Sequence, residues 1–432
     1  MERYSEYKDS GVKWLGEIPS HWDVLAIKHI LKLKKNIVGK QSSQFDLLSL
    51  TLKGVVKRDM ENPEGKFPAS FDAYQIVEPN DFIFCNFDNE ETPRAVGLSP
   101  YKGMITGAYD VLFRKNSKLT DKFLIYYFLY IDDAKRFKPL YKGLRKTVPF
   151  DSFMSYKIPI PSLKEQDAIV SYLDSVTAKI DEAIAQQQKM IDLLNERKQI
   201  IINKAVTKGL DPNVKMKPSG IDWIGEIPEH WNMCKLGALG TTINGISHDS
   251  TYFGSGFPFV SYSDVYKNYA LPAEVNGLAQ SSMSERNVFS VCEGDVFFTR
   301  TSETAEEIGF TSTCLKTIPN AVFAGFLIRF RPKVGYLDKN FSKYYFRAPI
   351  HRSYFVKEMN LVIRASLSQQ LLKGLIVLLP PIKEQVEIAS YLDKRVCEID
   401  NLIINYKKQI SLLQERKQII INDVVTGKVK VA

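Results

Sequence analysis

The chain has 432 residues, with 58 Lys and Arg against 49 Asp and Glu, for a formal net charge of +9; 44% of it is hydrophobic and 12% aromatic, which is ordinary globular material with room for several cores. It has no run of about 18 apolar residues, and the start (Met1, Glu2, Arg3, Tyr4) lacks the apolar core of a signal peptide. This excludes a helical membrane span and makes a soluble, cytoplasmic protein the expectation. The five cysteines (Cys85, Cys234, Cys292, Cys314, Cys397) lie far apart with no histidine at ligand spacing, so reduced thiols and no metal site are expected.

In chain order the first feature is residues 10–22, Ser-Gly-Val-Lys-Trp-Leu-Gly-Glu-Ile-Pro-Ser-His-Trp. It returns almost unchanged at 219–231, offset by 209, and the two copies hold all four tryptophans. Indoles at fixed spacing around Gly and Pro predict a compact turn anchored through its aromatics. His21 and His230 have no ligand-spaced partner and read as packing or hydrogen-bonding residues.

Residues 24–157 follow, with 22 Lys and Arg against 15 Asp and Glu. Strands are predicted at 45–50, 81–84 and 109–113, and a helix around 126–128. The acidic residues Asp59, Glu61 and Glu64 near Lys66 resemble a nuclease cluster but sit in a Pro- and Gly-containing stretch, read here as a solvated loop.

A long helix is predicted next, over 158–209. It opens on Lys164, Glu165 and Gln166, passes Tyr172, Leu173, Asp174, Ile180 and Asp181, and ends on Glu196, Arg197, Lys198 and Gln199. The same residues recur at a constant offset of 219, from Lys383, Glu384 and Gln385 to Glu415 and Asn422, in a second helix predicted over 378–432. Apolar or tolerated positions recur in steps of three and four along series that include Leu173, Ile180, Gln187, Ile191 and Leu194, and Leu392, Ile399, Tyr406, Ile410 and Leu413. Pro161 and Pro380 precede the runs, and Gly209 and Gly427 follow them. At about 1.5 Å per residue each helix is about 60 Å long. Stripes of that length need cover, and each is the other's only match, so the two helices are predicted to pair. Lys198 and Lys417 read as snorkelling stems on this seam, and Gln187 and Tyr406 are expected to meet near its middle. The outward faces (Gln186, Gln188 and Asp192; Asn405, Lys408 and Gln409) suit either partner contacts or plain solvent.

Between the helices, 210–377 repeats the first part: a Trp segment, then residues 233–377 with 15 Lys and Arg against 11 Asp and Glu. Strands are predicted at 257–262, 295–299 and 325–330 in the same parts as before, with a helix around 344–346. The chain thus divides into 1–157, 158–209, 210–377 and 378–432: two mixed α/β (α+β) domains separated by a pair of long helices, with pseudo-two-fold symmetry. That symmetry suits two half-sites on a duplex. The basic excess lies outside the helices, the footprint of a polyanion.

Phosphate contacts need Lys and Arg, and base contacts favour Arg, Asn and Gln. Four places combine these types with a predicted loop. The first is Thr51, Lys53, Lys57 and Arg58. Its counterpart is Tyr262, Ser263, Tyr266, Lys267 and Asn268. The third is Asn86 with Arg94, matched by Arg300, Thr301 and Ser302. The last is Lys142, Arg145 and Lys146, matched by Arg364 and Ser366. For each, a surface salt bridge is the competing reading.

The helix pair with its Pro-x-x-Lys-Glu-Gln openings, the Glu-Arg-Lys-Gln ends and the Gly-Glu-Ile-Pro-x-His-Trp segments resemble the specificity subunit of type I restriction-modification systems along essentially the whole chain. The resemblance implies two target recognition domains separated by two long helices packed as an antiparallel coiled coil, each domain reading half of a bipartite sequence in double-stranded DNA. It also implies two methyltransferase subunits around the helices, plus motor and endonuclease subunits. S-adenosylmethionine, ATP and magnesium would serve those partners, leaving this chain without cofactor or catalytic residue. In keeping with this, no phosphate loop, Asn/Asp-Pro-Pro-aromatic motif or Gly-x-Gly-x-x-Gly turn is present. Two other classes stay open: a stand-alone DNA-binding or scaffold protein, and a nuclease.

Overall fold

The computed structural model describes residues 2–59, 68, 70–302, 308–358 and 365–431. Glu61, Glu64, Lys66 and Arg364 fall outside these. The chain forms two compact units. Unit 1 comprises residues 1–188 and 407–432, and unit 2 comprises 189–406.

Two long helices, Leu163–Lys208 and Ile382–Val425, run unbroken, as their lack of Pro and Gly allows. Each unit holds opposite halves of the two, which makes the pairing antiparallel. Both begin later than the predicted bounds of 158 and 378, because Lys157–Ile160 and Ile376–Leu379, expected at or near the helix starts, are strands paired with Asp23–Ala26 and Asn232–Lys235. A proline ends each strand and helix follows.

The apolar stripes are buried where the helices lie against each other and against the domains. Leu173, Ile180, Ile191, Leu194, Leu392 and Ile399 are buried, while Gln187, Tyr406, Ile410 and Leu413 are half-buried. The heads of the seam lysines meet carboxylates of the other helix. In unit 2 Lys198 Nζ reaches Asp400 across the pair (2.7 Å), and in unit 1 Lys417 reaches Asp181 (2.7 Å). Both lysine and aspartate obey the 219-residue offset, so one ion pair occurs twice.

The domains share a plan. In unit 1 a four-stranded antiparallel sheet runs Leu31–Lys34, Asp110–Arg114, Phe82–Phe84, Val96–Leu98. In unit 2 the order is Gly240–Asn244, Leu327–Pro332, Val296–Thr299, Thr311–Thr313. Asp121–Asp133 and Lys339–Tyr345 form the following helices. The predicted strands at 45–50 and 257–262 do not play one part. Leu48–Thr51 turns back on Gly54–Lys57 as a hairpin. Phe253–Val260 instead pairs antiparallel with Gly277–Ala279 and parallel with Val322–Phe323.

Candidate nucleic-acid interface

The repeated motifs build the mount on which each domain sits. Trp22 and Trp231 are wholly buried. The Trp22 indole N–H donates to Glu165 Oε1 (3.1 Å), which His21 also reaches (2.7 Å). Trp231 and His230 do the same to Glu384 (3.1 and 2.8 Å). Partial burial alone would raise the Glu165 carboxyl, but hydrogen bonds from Ser162, His21 and Trp22 pull it down to about 2. The other side of each indole meets the end of the opposite helix. A Cβ on Gly427 would lie 2.5 Å from Pro19 and 3.0 Å from Trp22, and one on Gly209 would lie 2.9 Å from Glu384 and 3.5 Å from Trp231. Both glycines are left-handed (φ +74°) and end their helices. Each Trp segment therefore packs as a wedge between one helix start and the other helix end.

The next motif residue fastens the domain. Gln166, wholly buried, accepts from the Thr120 amide (2.7 Å) and donates to the carbonyls of Lys118 and Pro161 (2.8 and 2.9 Å). Gln385 accepts from Asp338 (2.8 Å) and donates to Tyr336 and Pro380 (3.0 and 2.9 Å). One turn or two further on, Tyr126 and Tyr344 donate to Asp174 and Asp393 (both 2.7 Å).

Away from this mount, the structure joins two of the four candidate places in each unit. In unit 1 the segment after Phe82–Phe84 meets the turn at 142–147. Lys142 and Thr147 exchange backbone hydrogen bonds (2.8 and 3.0 Å), Val148 N–H donates to Asn86 O (2.7 Å) and Asp88 N–H donates to Arg145 O (2.7 Å). The Arg145 guanidinium chelates Asp88, holding that carboxyl below the usual range, and lies 4.8 Å from the centre of the Phe87 ring. In unit 2 Thr301 and Ser302 pair with Ser366 and Ala365, and Leu367 N–H donates to Arg300 O (2.7 Å). So Arg300, Thr301 and Ser302 stand beside Ser366, the near neighbour of Arg364.

The other assignments fare differently. Lys53 is exposed at the 51–54 turn, which the Thr51 hydroxyl closes by donating to Gly54 O (3.0 Å). Lys57 pairs with Asp46 (2.5 Å) beside Tyr101, and Arg58 adjoins it through a backbone bond to Leu47. Asn86 is buried, with its amide on Asp110 (2.8 Å). Arg94 turns inward to Asp133 (3.0 Å) and Asp132 (3.6 Å), so the competing salt-bridge reading describes it. Tyr262, Ser263, Tyr266 and Lys267 lie on a short helix and not a loop, capped reciprocally by Ser261 and Asp264. Asn268 ends it, bonding back to Asp264 O (2.9 Å). The Arg347 guanidinium ties this helix down through the carbonyls of Val265, Tyr266 and Asn268. Asp88, Phe87 and Arg347 carried no sequence signal, because their partners are distant in the chain.

Among the described residues no group of three or more His, Cys, Asp and Glu could hold a metal, and no helix is long and apolar enough to cross a membrane. A cavity of about 530 Å³ in unit 2, lined by Lys198, Tyr269, Phe310, Arg347 and Arg352, has its cations engaged internally: Lys198 on Asp400, the two arginines on carbonyls.

Comparisons with known proteins agree with this architecture. The family described as type I restriction modification DNA specificity domain matches residues 96–191. The specificity subunit of the type I restriction enzyme MjaVIII of Methanocaldococcus jannaschii is 26% identical, over 98% of this chain and 97% of its own. The EcoKI specificity subunit of Escherichia coli is 23% identical over 90% of this chain and 84% of its own. A chain solved in work on complex assembly and conformational transition of the type I R-M system shares the fold, with TM-score 0.68, 15% identity, and 95% and 99% of the two chains covered. By these matches residues 96–191 resemble a type I restriction modification DNA specificity domain, and the chain is similar along nearly its whole length to type I restriction enzyme specificity subunits.

Proposed function

We propose that each unit reads one half of a bipartite sequence in duplex DNA, and that this chain brings two methyltransferase subunits, and motor and endonuclease subunits, to the site. Adenine methylation and ATP-dependent cleavage then belong to those partners, with S-adenosylmethionine, ATP and magnesium bound by them. One observation carries the reading: an identical mount occurs twice, holding sheets of one strand order whose exposed segments differ. A fixed mount with a variable surface suits the reading of two unlike half-sites. The basic excess of both domains supplies the sequence-independent attraction to phosphate. In the joined segments, Lys142, Arg145 and Lys146 in unit 1 and Arg300, Thr301 and Ser302 beside Ser366 in unit 2 are the candidate DNA-facing residues, with Lys53 a further phosphate contact. Gln186, Gln188, Asp192, Asn405, Lys408 and Gln409 on the helices are candidates for partner contact.

The test is an exchange of residues 233–377 for those of another specificity subunit, followed by mapping of methylated adenines. One half of the methylated sequence should change while the other stays. A change in both halves, or in neither, overturns the reading. Co-purification of a methyltransferase with the chain separates it from the stand-alone alternative.

A further inference from the structure

The turn at 142–147 presents a side chain that the proposal above does not use. Leu144 is 100% exposed. A lone exposed leucine on a surface needs no explanation, but this one stands on a braced support. The turn is closed by the reciprocal bonds between Lys142 and Thr147, pinned to the sheet end through Asn86 and Asp88, and clamped by Arg145 on Asp88 and Phe87. Gly143 and Lys146 both take left-handed backbone (φ +69° and +45°), which for Lys146 is a strained choice. Holding a leucine outward costs backbone strain and solvates an apolar surface. No contact among the described residues covers that side chain.

We infer that Leu144 is a wedge that enters a groove of the bound duplex and unstacks one base step, with Lys142 and Lys146 taking the flanking phosphates. Apolar side chains set among cations do this in proteins that bend DNA, and the local deformation adds sequence preference through the step that yields most easily. The inference rests on the DNA-reading proposal and deepens it, giving unit 1 a specificity-determining residue that makes no hydrogen bond to a base.

The experiment uses the full chain alone and a duplex carrying the sequence found by methylation mapping. 2-Aminopurine replaces one base at a time through the half-site that survives the exchange of 233–377. Bound wild-type chain should raise the fluorescence several-fold at one step. Leu144→Ala should bind the same duplex with the signal at the free-duplex level, and Leu144→Met should keep the rise. Because the side chain is fully exposed, neither change disturbs the core. Binding without a rise at any step, or a rise that Leu144→Ala leaves intact, overturns the wedge while sparing the DNA-reading proposal. Failure of the wild-type chain to bind this duplex overturns both.

Discussion

In unit 1 the helix Asp121–Asp133 ends among carboxylates: Asp132 and Asp133 gather Arg94 and Lys135, and Asp132 also accepts the Ala95 amide. Just past the corresponding helix of unit 2 stand Arg347, His351 and Arg352, whose hydrogen bonds run to backbone carbonyls. One place in the fold is thus acidic and paired in one unit, and cationic and carbonyl-bound in the other. At the start of the same helices, Gln166 and Gln385 make the same three hydrogen bonds. Contacts between domain and helix are held to one solution, while the interior of each domain is free to find its own. A protein that carries different readers on one mount needs this division.

The largest effect expected from attacking the mount is at the tryptophans. Trp22→Ala removes a wholly buried indole and its bond to Glu165, and should cost unit 1 about 3–5 kcal/mol. Hydrogen exchange should show lost protection in unit 1 with unit 2 retained, and Trp231→Ala should do the reverse. Equal loss in both units from either variant would mean that the mounts are not separate.

Gln166→Ala and Gln385→Ala come next. Each leaves one amide and two carbonyls without their partner, at about 1–3 kcal/mol for a buried group so stranded. Because the bonding is the same in the two units, the two variants should lower protection equally. A difference of more than about 1 kcal/mol would show that the mounts are alike in geometry but unequal in strength.

A third effect should appear in unit 2. Burial drives the His351 imidazole down to about 3; its Nε2 meets Tyr345 O at 2.9 Å and its Nδ1 has no partner among the described residues. With the folded value below the ordinary 6.5, the unfolded chain binds a proton that the folded one refuses. Stability therefore falls as pH drops from about 6.5 towards 3. Between pH 7 and 5, hydrogen exchange of unit 2 should quicken relative to unit 1, and His351→Asn should remove the difference. An unchanged ratio would show that the ring is not held neutral.

Sequence made the mount legible because its residues act through contacts that both copies share, so identity at a fixed offset marks them. The paired helices, their ends and the Trp segments follow from that. What was hidden depended on distant partners. Arg94 reads as a free cation until the fold brings Asp132 and Asp133 to it. The runs at 45–50 and 257–262 look alike because β-propensity records a half-buried pleat and not the neighbour chosen. The helix Tyr262–Lys267 did announce itself through Ser261 and Asp264 at capping-box spacing, but six residues with Val265 their one aliphatic member lack the periodicity that separates a helix from a loop.

The smallest effect belongs to the duplicated ion pair, and it gives the finest comparison. Lys198 is 14% exposed beside Asp400 at 46%, and Lys417 is 28% exposed beside Asp181 at 57%. Water screens both carboxylates, so each pair should contribute about 0–1 kcal/mol, with the more covered Lys198 pair the stronger. Double-mutant cycles with Lys198→Met and Asp400→Asn, and with Lys417→Met and Asp181→Asn, measure the two couplings. The Met variants alone should be nearly neutral, since the thioether keeps the stem on the apolar seam. Coupling well above about 1 kcal/mol in either pair would mean that the seam is drier than its exposure indicates. A stronger Lys417 pair would show that the packing around each pair, and not solvent access, sets its strength.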